Sequence, residues 1–112
     1  MKVYKIVARL RLITEETYSL EDVKRIGGFE RVDRAELIIL DSGDTLVVEE
    51  TGSPRDQPDY FSVAGDDTPL AGNGVVLRLD DDFNQTEPKI TLDDLKRQVR
   101  FWTLIGDTLH PV

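Results

Sequence analysis

Residues 69–102 read PLAGNGVVLRLDDDFNQTEPKITLDDLKRQVRFW and carry the strongest secondary-structure signals in the chain. The Gly-Asn-Gly run at 72–74 tolerates positive φ, which predicts a bend that leads into a strand. The next residues, 75–79, read VVLRL, and this composition is typical of a strand with an arginine on its solvated face. Three adjacent aspartates at 80–82 follow, and their mutual repulsion predicts that the strand ends in solvent.

A short helix is predicted near the end of this stretch from its capping pattern. Thr91 is the expected N-cap, and Asp94 at the third helical position resembles a capping box with Asp in place of Glu. Ile90 and Leu95 flank this cap and are spaced to form a hydrophobic staple. The run VRFWTLI at 99–105 is rich in branched and aromatic residues, which predicts a strand directly after the helix.

The rest of the chain predicts further strands and a second short helix. Residues 3–13 alternate apolar and basic side chains and indicate one amphipathic strand, followed by a polar loop at 14–17. The pattern at 19–28 predicts a short helix that a serine caps and two glycines end. Branched runs at 34–40 and 45–50, joined by an Asp-Ser-Gly-Asp turn, predict a β-hairpin at the centre of the sheet.

We therefore predict an α+β fold: a mainly antiparallel sheet of five or six strands with two short helices covering one face. The helices are too short and too few for the repeated crossovers of a parallel sheet. An all-β, barrel-like sheet with a helix at one end is the alternative. The length of 112 residues predicts a single domain, 1–112. Within it, a short strand at 60–63 ends in a turn at 64–67, and residues 105–112 form a flexible tail.

The composition narrows the possible functions. There is no cysteine and the single histidine is His110, so disulfides, thiol catalysis and multi-histidine metal sites are excluded. The formal net charge of -8 argues against direct binding to nucleic acid or an anionic membrane, because phosphate neutralisation needs a basic surface. No apolar run approaches the roughly 20 residues of a membrane-spanning helix, and the first residues lack the apolar middle of a signal peptide. These features predict a cytoplasmic protein that does not bind membranes.

The sequence contains no signature of catalysis. It has no P-loop, no dinucleotide-binding glycine pattern and no Ser-His-Asp order, so no catalytic residue and no cofactor are predicted. Asp80, Asp82 and Asn84 match the first three side-chain ligand positions of a calcium loop. The match then fails, because Gln85 stands where a glycine is needed and Thr91 stands where a glutamate should close the site. No metal site is predicted for that reason.

Four parts of the second half of the chain share a pattern with a known group of proteins. They are DYFSVAG at 59–65, PLAGNGVVL at 69–77, the aspartates at 80–82, and the helix-to-strand segment at 92–101. In this order they resemble small prokaryotic proteins, often encoded by phages and plasmids, that are classed as a domain family of unknown function. The resemblance covers roughly residues 59–102 and carries no catalytic residue over to this chain. It implies an accessory protein of a mobile genetic element.

Three functional hypotheses follow from these observations. The leading one is a non-enzymatic accessory protein that binds a basic protein partner through an acidic surface. Its candidate residues are Asp66, Asp67, Asp80, Asp81 and Asp82. The second is a small-molecule or nucleotide-binding module at the glycine bend, and its candidate residues are Gly72, Asn73, Gly74, Arg78 and Arg100. The third is a weak metal-dependent enzyme, and the sequence leaves the oligomeric state open.

Overall fold

The computed structural model of the protein describes residues 1–17, 35–49 and 59–112. These residues form ten strands and one helix. The strands are β1 (Lys2–Val7), β2 (Leu12–Thr17), β3 (Ala35–Ile39), β4 (Thr45–Glu49), β5 (Asp59–Val63), β6 (Asp66–Ala71), β7 (Asn73–Leu79), β8 (Gln85–Thr86), β9 (Val99–Ile105) and β10 (Thr108–Pro111). The helix is α1 (Leu92–Gln98), between β8 and β9.

The strands divide between two antiparallel sheets. The larger sheet has six strands in the order β2-β1-β7-β4-β3, with β8 paired to the end of β7. The smaller sheet has four strands in the order β10-β9-β5-β6. All of these pairs are antiparallel, which confirms the predicted antiparallel α+β arrangement. The prediction of one sheet of five or six strands is wrong, and so is the barrel-like alternative, because both sheets are open in the described part of the chain.

The N-terminal hairpin corrects the predicted single strand at 3–13. The chain turns after β1, where Arg11 has a φ of 52° and its backbone N–H donates to the carbonyl of Ala8 at 3.1 Å. The turn brings two buried side chains together, because Ile6 pairs with Ile13 across the strands. The residues predicted as a polar loop at 14–17 belong to β2. The turn contains no glycine, proline or asparagine, so the sequence offered no signal for it.

The central hairpin is confirmed by β3 and β4, whose register pairs Leu37 with Val47. The connecting turn is closed by two backbone hydrogen bonds of 2.9 Å, from Leu40 to Asp44 and from Gly43 to Leu40. Strand β4 lies between β7 and β3 as predicted for a central strand, whereas β3 is at the edge of the described sheet.

Two strands appear where the sequence predicted irregular structure. Strand β6 contains Pro69 and occupies an edge of the smaller sheet, where a residue without an N–H is tolerated. The predicted flexible tail at 105–112 is wrong for most of its length, because residues Thr108–Pro111 form β10 and pair with β9. Gly106 makes the turn between them with a φ of 64°.

The predicted cap and first turn of α1 are confirmed. Thr91 is the N-cap, and its hydroxyl accepts from the backbone N–H of Asp94 at 3.1 Å. Ile90 and Leu95, the two residues of the predicted staple, are both buried in the core. The second predicted helix, at 19–28, lies outside the described residues. The one described helix is far too short to cross a membrane.

The two sheets share one hydrophobic core. The buried cluster between them draws on the larger sheet, the smaller sheet and the helix, and includes Tyr4, Leu46, Val76, Phe61 and Leu95. A second buried cluster occupies the other face of the larger sheet and consists of Val3, Val47, Val75 and Leu77. The larger sheet is therefore apolar on both faces at its centre, which agrees with its near-continuous hydrophobic runs.

Candidate functional site

The acidic loop is the tip of the hairpin formed by β7 and β8, and we call residues 80–84 the acidic tip. Asp80 organises it from within. One of its carboxylate oxygens, Oδ1, accepts from the backbone N–H groups of Asp82 at 2.9 Å and Asn84 at 2.8 Å. Its own N–H donates to the carbonyl of Asn84 at 2.9 Å, and Phe83 donates to the carbonyl of Asp80 at 3.0 Å. Asp80 therefore holds the loop together, while Asp81 and Asp82 are exposed.

Phe83 is the unusual residue of the acidic tip. Its φ is 62°, a left-handed conformation that favours glycine or asparagine and costs other residues roughly 1–2 kcal/mol. Its side chain is 70% exposed, so core packing does not compensate for that strain. A large apolar side chain is thus held in solvent between exposed aspartates and Asn84, in a backbone conformation that disfavours it.

The five predicted partner-binding aspartates divide between the two sheets. Asp80, Asp81 and Asp82 lie on the acidic tip of the larger sheet. Asp66 and Asp67 begin β6, an edge strand of the smaller sheet, where Asp66 pairs with Val63. The acidic tip is the part of the predicted surface whose side chains the structure describes.

Sequence reasoning missed the most deeply buried charge of the described residues, Asp44. Its side chain is fully buried and accepts hydrogen bonds from the N–H groups of Lys89 at 2.9 Å and Ile90 at 2.8 Å. The Ser42 hydroxyl donates to it at 2.7 Å, and the guanidinium of Arg78 lies 3.4 Å away. Each carboxylate oxygen is satisfied, as a buried charge requires. Asp44 therefore ties the β3–β4 turn to the segment before α1 and is structural.

No sequence signal could have identified this role of Asp44. Its partner Ile90 is 46 positions away in the chain, and only the finished fold brings the two together. The residue stands in an Asp-Ser-Gly-Asp turn, and turn chemistry alone explains an aspartate at that position.

The glycine bend proposed for ligand binding has a structural explanation. Gly72 has a φ of 81° where the chain leaves β6 in one sheet and enters β7 in the other. Gly74 is buried at the contact between the sheets, where an added Cβ would lie 2.8 Å from Phe61 Cζ and 3.0 Å from Leu46 Cδ1. Both glycines are therefore needed by the fold itself, and Asn73 between them begins β7.

The two arginines of the same hypothesis belong to different sheets. Arg78, on β7, contacts Asp44 and the carbonyl of Ser42 at 3.4 Å. Its Cα is four residues from that of Gly74, or roughly 13 Å along the strand. Arg100, on β9, lies over the ring of Trp102 with 5.8 Å between its guanidinium carbon and the ring centroid. The two arginines therefore have different partners, and they do not line one pocket together with the glycines.

The outer face of the smaller sheet carries the aromatic residues Tyr60 and Trp102, which pair across β5 and β9. The Trp102 indole N–H donates to the hydroxyl of Ser62 at 2.9 Å, so the ring is fixed against the sheet. Burial raises the pKa of the Tyr60 phenol above its ordinary value. Trp102 is therefore a half-buried packing residue on the outer face of the smaller sheet.

The partial calcium-loop pattern of the sequence falls on the acidic tip. Oδ1 of Asp80 already receives two backbone hydrogen bonds. Within 1–17, 35–49 and 59–112, the structure forms no group of three histidine, aspartate or glutamate side chains that could hold a metal ion. Comparisons with protein-family models, curated proteins and solved structures found no match.

Proposed function

We propose that the protein is a non-enzymatic accessory protein that binds a basic protein partner through the acidic tip. The exposed side chain of Phe83 carries this proposal. A strained, exposed aromatic residue that directly follows Asp81 and Asp82 combines an apolar anchor with neighbouring negative charges, and protein interfaces are built from these two components. The partner that fits is a protein with an apolar pocket lined at its rim by lysine or arginine. The resemblance described above suggests a mobile genetic element as the setting.

The two components contribute differently to binding. An aromatic anchor that enters a pocket contributes most of the affinity, and truncation of such a residue typically costs about 2 kcal/mol or more, roughly 30-fold in Kd. Rim charges mainly accelerate association and make it sensitive to salt. Asp81 and Asp82 fit that rim role because neither side chain holds the loop, whereas Asp80 does.

The decisive variant is Phe83→Gly. Glycine accepts the left-handed backbone, so we expect this variant to fold at least as stably as the wild type, with a gain of up to about 1 kcal/mol. Partner binding should nevertheless fall by about 30-fold or more. A protein retained from lysate by the wild type, lost with Phe83→Gly and kept with Leu10→Gly would support the proposal. Leu10 is the matched control because it is also an exposed apolar residue in a hairpin turn.

The role of the negative charges beside Phe83 is tested with the double variant D81N/D82N. We expect slower association and a weaker dependence of affinity on salt, with unchanged stability. The double variant D107N/E87Q changes the net charge equally at two other exposed positions and is the control. Equal binding by Phe83→Gly and the wild type would contradict the proposal, because the anchor would then be dispensable.

The alternative function, a small-molecule or nucleotide-binding module, is less favoured because Arg78 is engaged by Asp44 and Gly74 is required for packing. It would show as a ligand-induced rise in melting temperature that salt hardly changes. A screen of metabolites and nucleotides by thermal shift tests it directly, and a shift that survives in Phe83→Gly would favour it over the acidic tip.

A further inference from the structure

The edge strand β3 exposes two large apolar side chains. Leu37 is 54% exposed and Ile39 is 69% exposed. Residues two positions apart in a strand project from the same face, so these two side chains form one row. In the described part of the chain β3 pairs only with β4, so its other side lies at the sheet edge. We call Leu37 and Ile39 the apolar edge.

The other three sheet edges in the described residues are guarded against pairing. Strand β6 contains Pro69, and β10 ends in Pro111, and proline cannot complete a ladder of hydrogen bonds. Strand β2 carries the two charged residues Glu15 and Glu16. Strand β3, with the sequence AELII, has neither proline nor lysine and has a single charge, Glu36. Among the sheet edges formed by the described residues, β3 is therefore the one without such protection, and an exposed apolar edge of this kind favours pairing with another strand.

The backbone of β3 is arranged to accept a further strand. The N–H of Leu40 donates to the carbonyl of Asp44, so Leu40 and Asp44 are a hydrogen-bonded pair that continues the β3–β4 ladder. In an antiparallel ladder such pairs alternate with non-bonded ones, so Ile38 and Glu36 also direct their backbone groups towards β4. The N–H and C=O groups of Leu37 and Ile39 are therefore directed outward, away from β4.

We propose that β3 pairs with β3 of a second copy of this chain in antiparallel orientation, about a two-fold axis at Leu37. In this register Leu37 meets Leu37 of the second copy, and Ile39 lies opposite Ala35. All five residues of β3 are used, and roughly six backbone hydrogen bonds form. The result is one continuous sheet across two copies, closed by the two-fold symmetry because both copies use the same edge.

The charge of the strand favours this register and this occupant. Glu36 lies opposite Ile38 of the second copy, so the only charged side chains of the two strands are not opposed. If the register shifted by one residue so that the two-fold axis passed through Glu36, the two Glu36 carboxylates would lie opposite one another, which is unfavourable. A basic partner has no carboxylate row to meet on the apolar edge, whereas a second copy supplies an identical apolar row.

The dimer should respond to salt in the opposite direction from partner binding at the acidic tip. Each copy has a formal net charge of -8, so two copies repel one another at low ionic strength. Salt screens that repulsion and leaves the apolar and backbone contacts intact. We therefore expect the dimer fraction to rise with salt, in a concentration-dependent monomer–dimer equilibrium.

The first test is sedimentation velocity of the wild type over a range of protein concentrations at 0.1 M and 1 M salt, beside the variants Leu37→Lys and Leu10→Lys. We expect the wild type to form a dimer that becomes stronger as salt rises. The control variant Leu10→Lys should form the same dimer. Leu37→Lys places two like charges opposite one another at the axis and should weaken the dimer at least tenfold. At protein concentrations low enough for the wild type to be monomeric, the two melting temperatures should agree, because the side chain is exposed in the monomer. A monomer at every concentration and salt, or a dimer that Leu37→Lys leaves intact, would overturn the proposal.

The second test determines the register of the β3–β3 pairing by disulfide cross-linking. The chain has no cysteine, so Leu37→Cys introduces a single thiol at the axis. Opposed residues of a hydrogen-bonded pair have Cα atoms about 5.5 Å apart, within the range of a disulfide. Oxidation should give a covalent dimer with Leu37→Cys and none with the control Leu10→Cys. Equal cross-linking of both variants would mean random collision and would reject the register. Phe83→Gly should leave the dimer unchanged, which separates this proposal from partner binding.

Discussion

Asp44 is a single side chain whose contacts contribute strongly to the stability of the fold. It is fully buried and its carboxylate receives hydrogen bonds from two backbone N–H groups, from Ser42 and from Arg78. Asp44→Ala would remove the acceptor of the Lys89 and Ile90 N–H groups and the counter-charge of Arg78, which would keep its contact with the carbonyl of Ser42. We expect a loss of about 2–4 kcal/mol in the free energy of unfolding, because two backbone donors lose their partner at about 1–3 kcal/mol each, whereas the guanidinium of Arg78, which is 33% exposed, stays solvated. Urea denaturation of the variant and the wild type measures it.

The matched control for Asp44 is Asp107→Ala, since Asp107 is an exposed aspartate in another hairpin turn. We expect that variant to stay within about 0.5 kcal/mol of the wild type. A change at Asp44 as small as at Asp107 would show that its hydrogen bonds make no net contribution.

Single residues also show how much of the candidate site the sequence could predict. The exposure of Asp81 and Asp82 was predictable, because three adjacent carboxylates repel one another wherever they lie. The left-handed backbone of Phe83 was not, since local preferences place glycine or asparagine there. The loop-holding role of Asp80 was also missed, because aspartate side chains bind nearby backbone groups only once the turn geometry is set.

At the scale of elements, local signals predicted well and long-range pairing did not. The cap of α1 and the β3–β4 hairpin depend on residues close in sequence, and both were predicted. The division into two sheets depends on pairs such as β1 with β7, where Tyr4 meets Val76 across most of the chain. No periodicity in a single strand encodes its partner, so the sheet assignment required the structure.

The C-terminal hairpin gives a prediction that separates the observed element from the flexible tail expected from sequence. Removal of residues 107–112 deletes β10, which pairs with β9 from Ile105 to Trp102. We expect a melting temperature several degrees lower, corresponding to roughly 1–3 kcal/mol, because a paired edge strand is lost. The exposed edge of β9 should also increase aggregation, since it loses the guarding proline of β10. Thermal unfolding followed by circular dichroism, with light scattering, measures both.

Two outcomes would decide between the hairpin and a tail. A truncated protein with the stability of the full chain would mean that β10 contributes nothing to the fold. The substitution Gly106→Val provides a second readout without shortening the chain, because Gly106 has a φ of 64° that a branched residue resists. It should lower stability in the same direction as the truncation.

In the whole molecule, the acidic tip and the apolar edge lie on different strands of the larger sheet. Strand β3 lies two strands from β7, and Ile39 is level with Leu77 through Thr45. The acidic tip extends beyond that end of β7. The two-fold axis of the proposed dimer therefore directs the two tips to opposite ends of the joined sheet. Each tip remains accessible, and the dimer would present two binding sites for a basic partner.

The separation of the two tips can be estimated from strand geometry. Five strand spacings of about 4.8 Å separate β7 from its counterpart, and each tip extends roughly 20 Å from the axis along the strands. The tips should therefore lie roughly 45 Å apart, several times the Debye length of about 10 Å at 0.1 M salt, so their charges hardly oppose dimerisation. Parallel pairing of the strands would instead place the tips side by side, roughly 25 Å apart.

A distance measurement between spin labels distinguishes these arrangements without any partner. The variant Asp81→Cys supplies one labelling site per copy, because the chain has no other cysteine, and Asp81 is exposed. Pulsed electron resonance of the labelled protein in 1 M salt should give a distance distribution centred at roughly 45 Å. Adding Leu37→Lys to the labelled variant should abolish the signal, because the labels would then reside on separate monomers. A distance near 25 Å would reject the two-fold arrangement, since only antiparallel pairing at Leu37 sends the two tips in opposite directions.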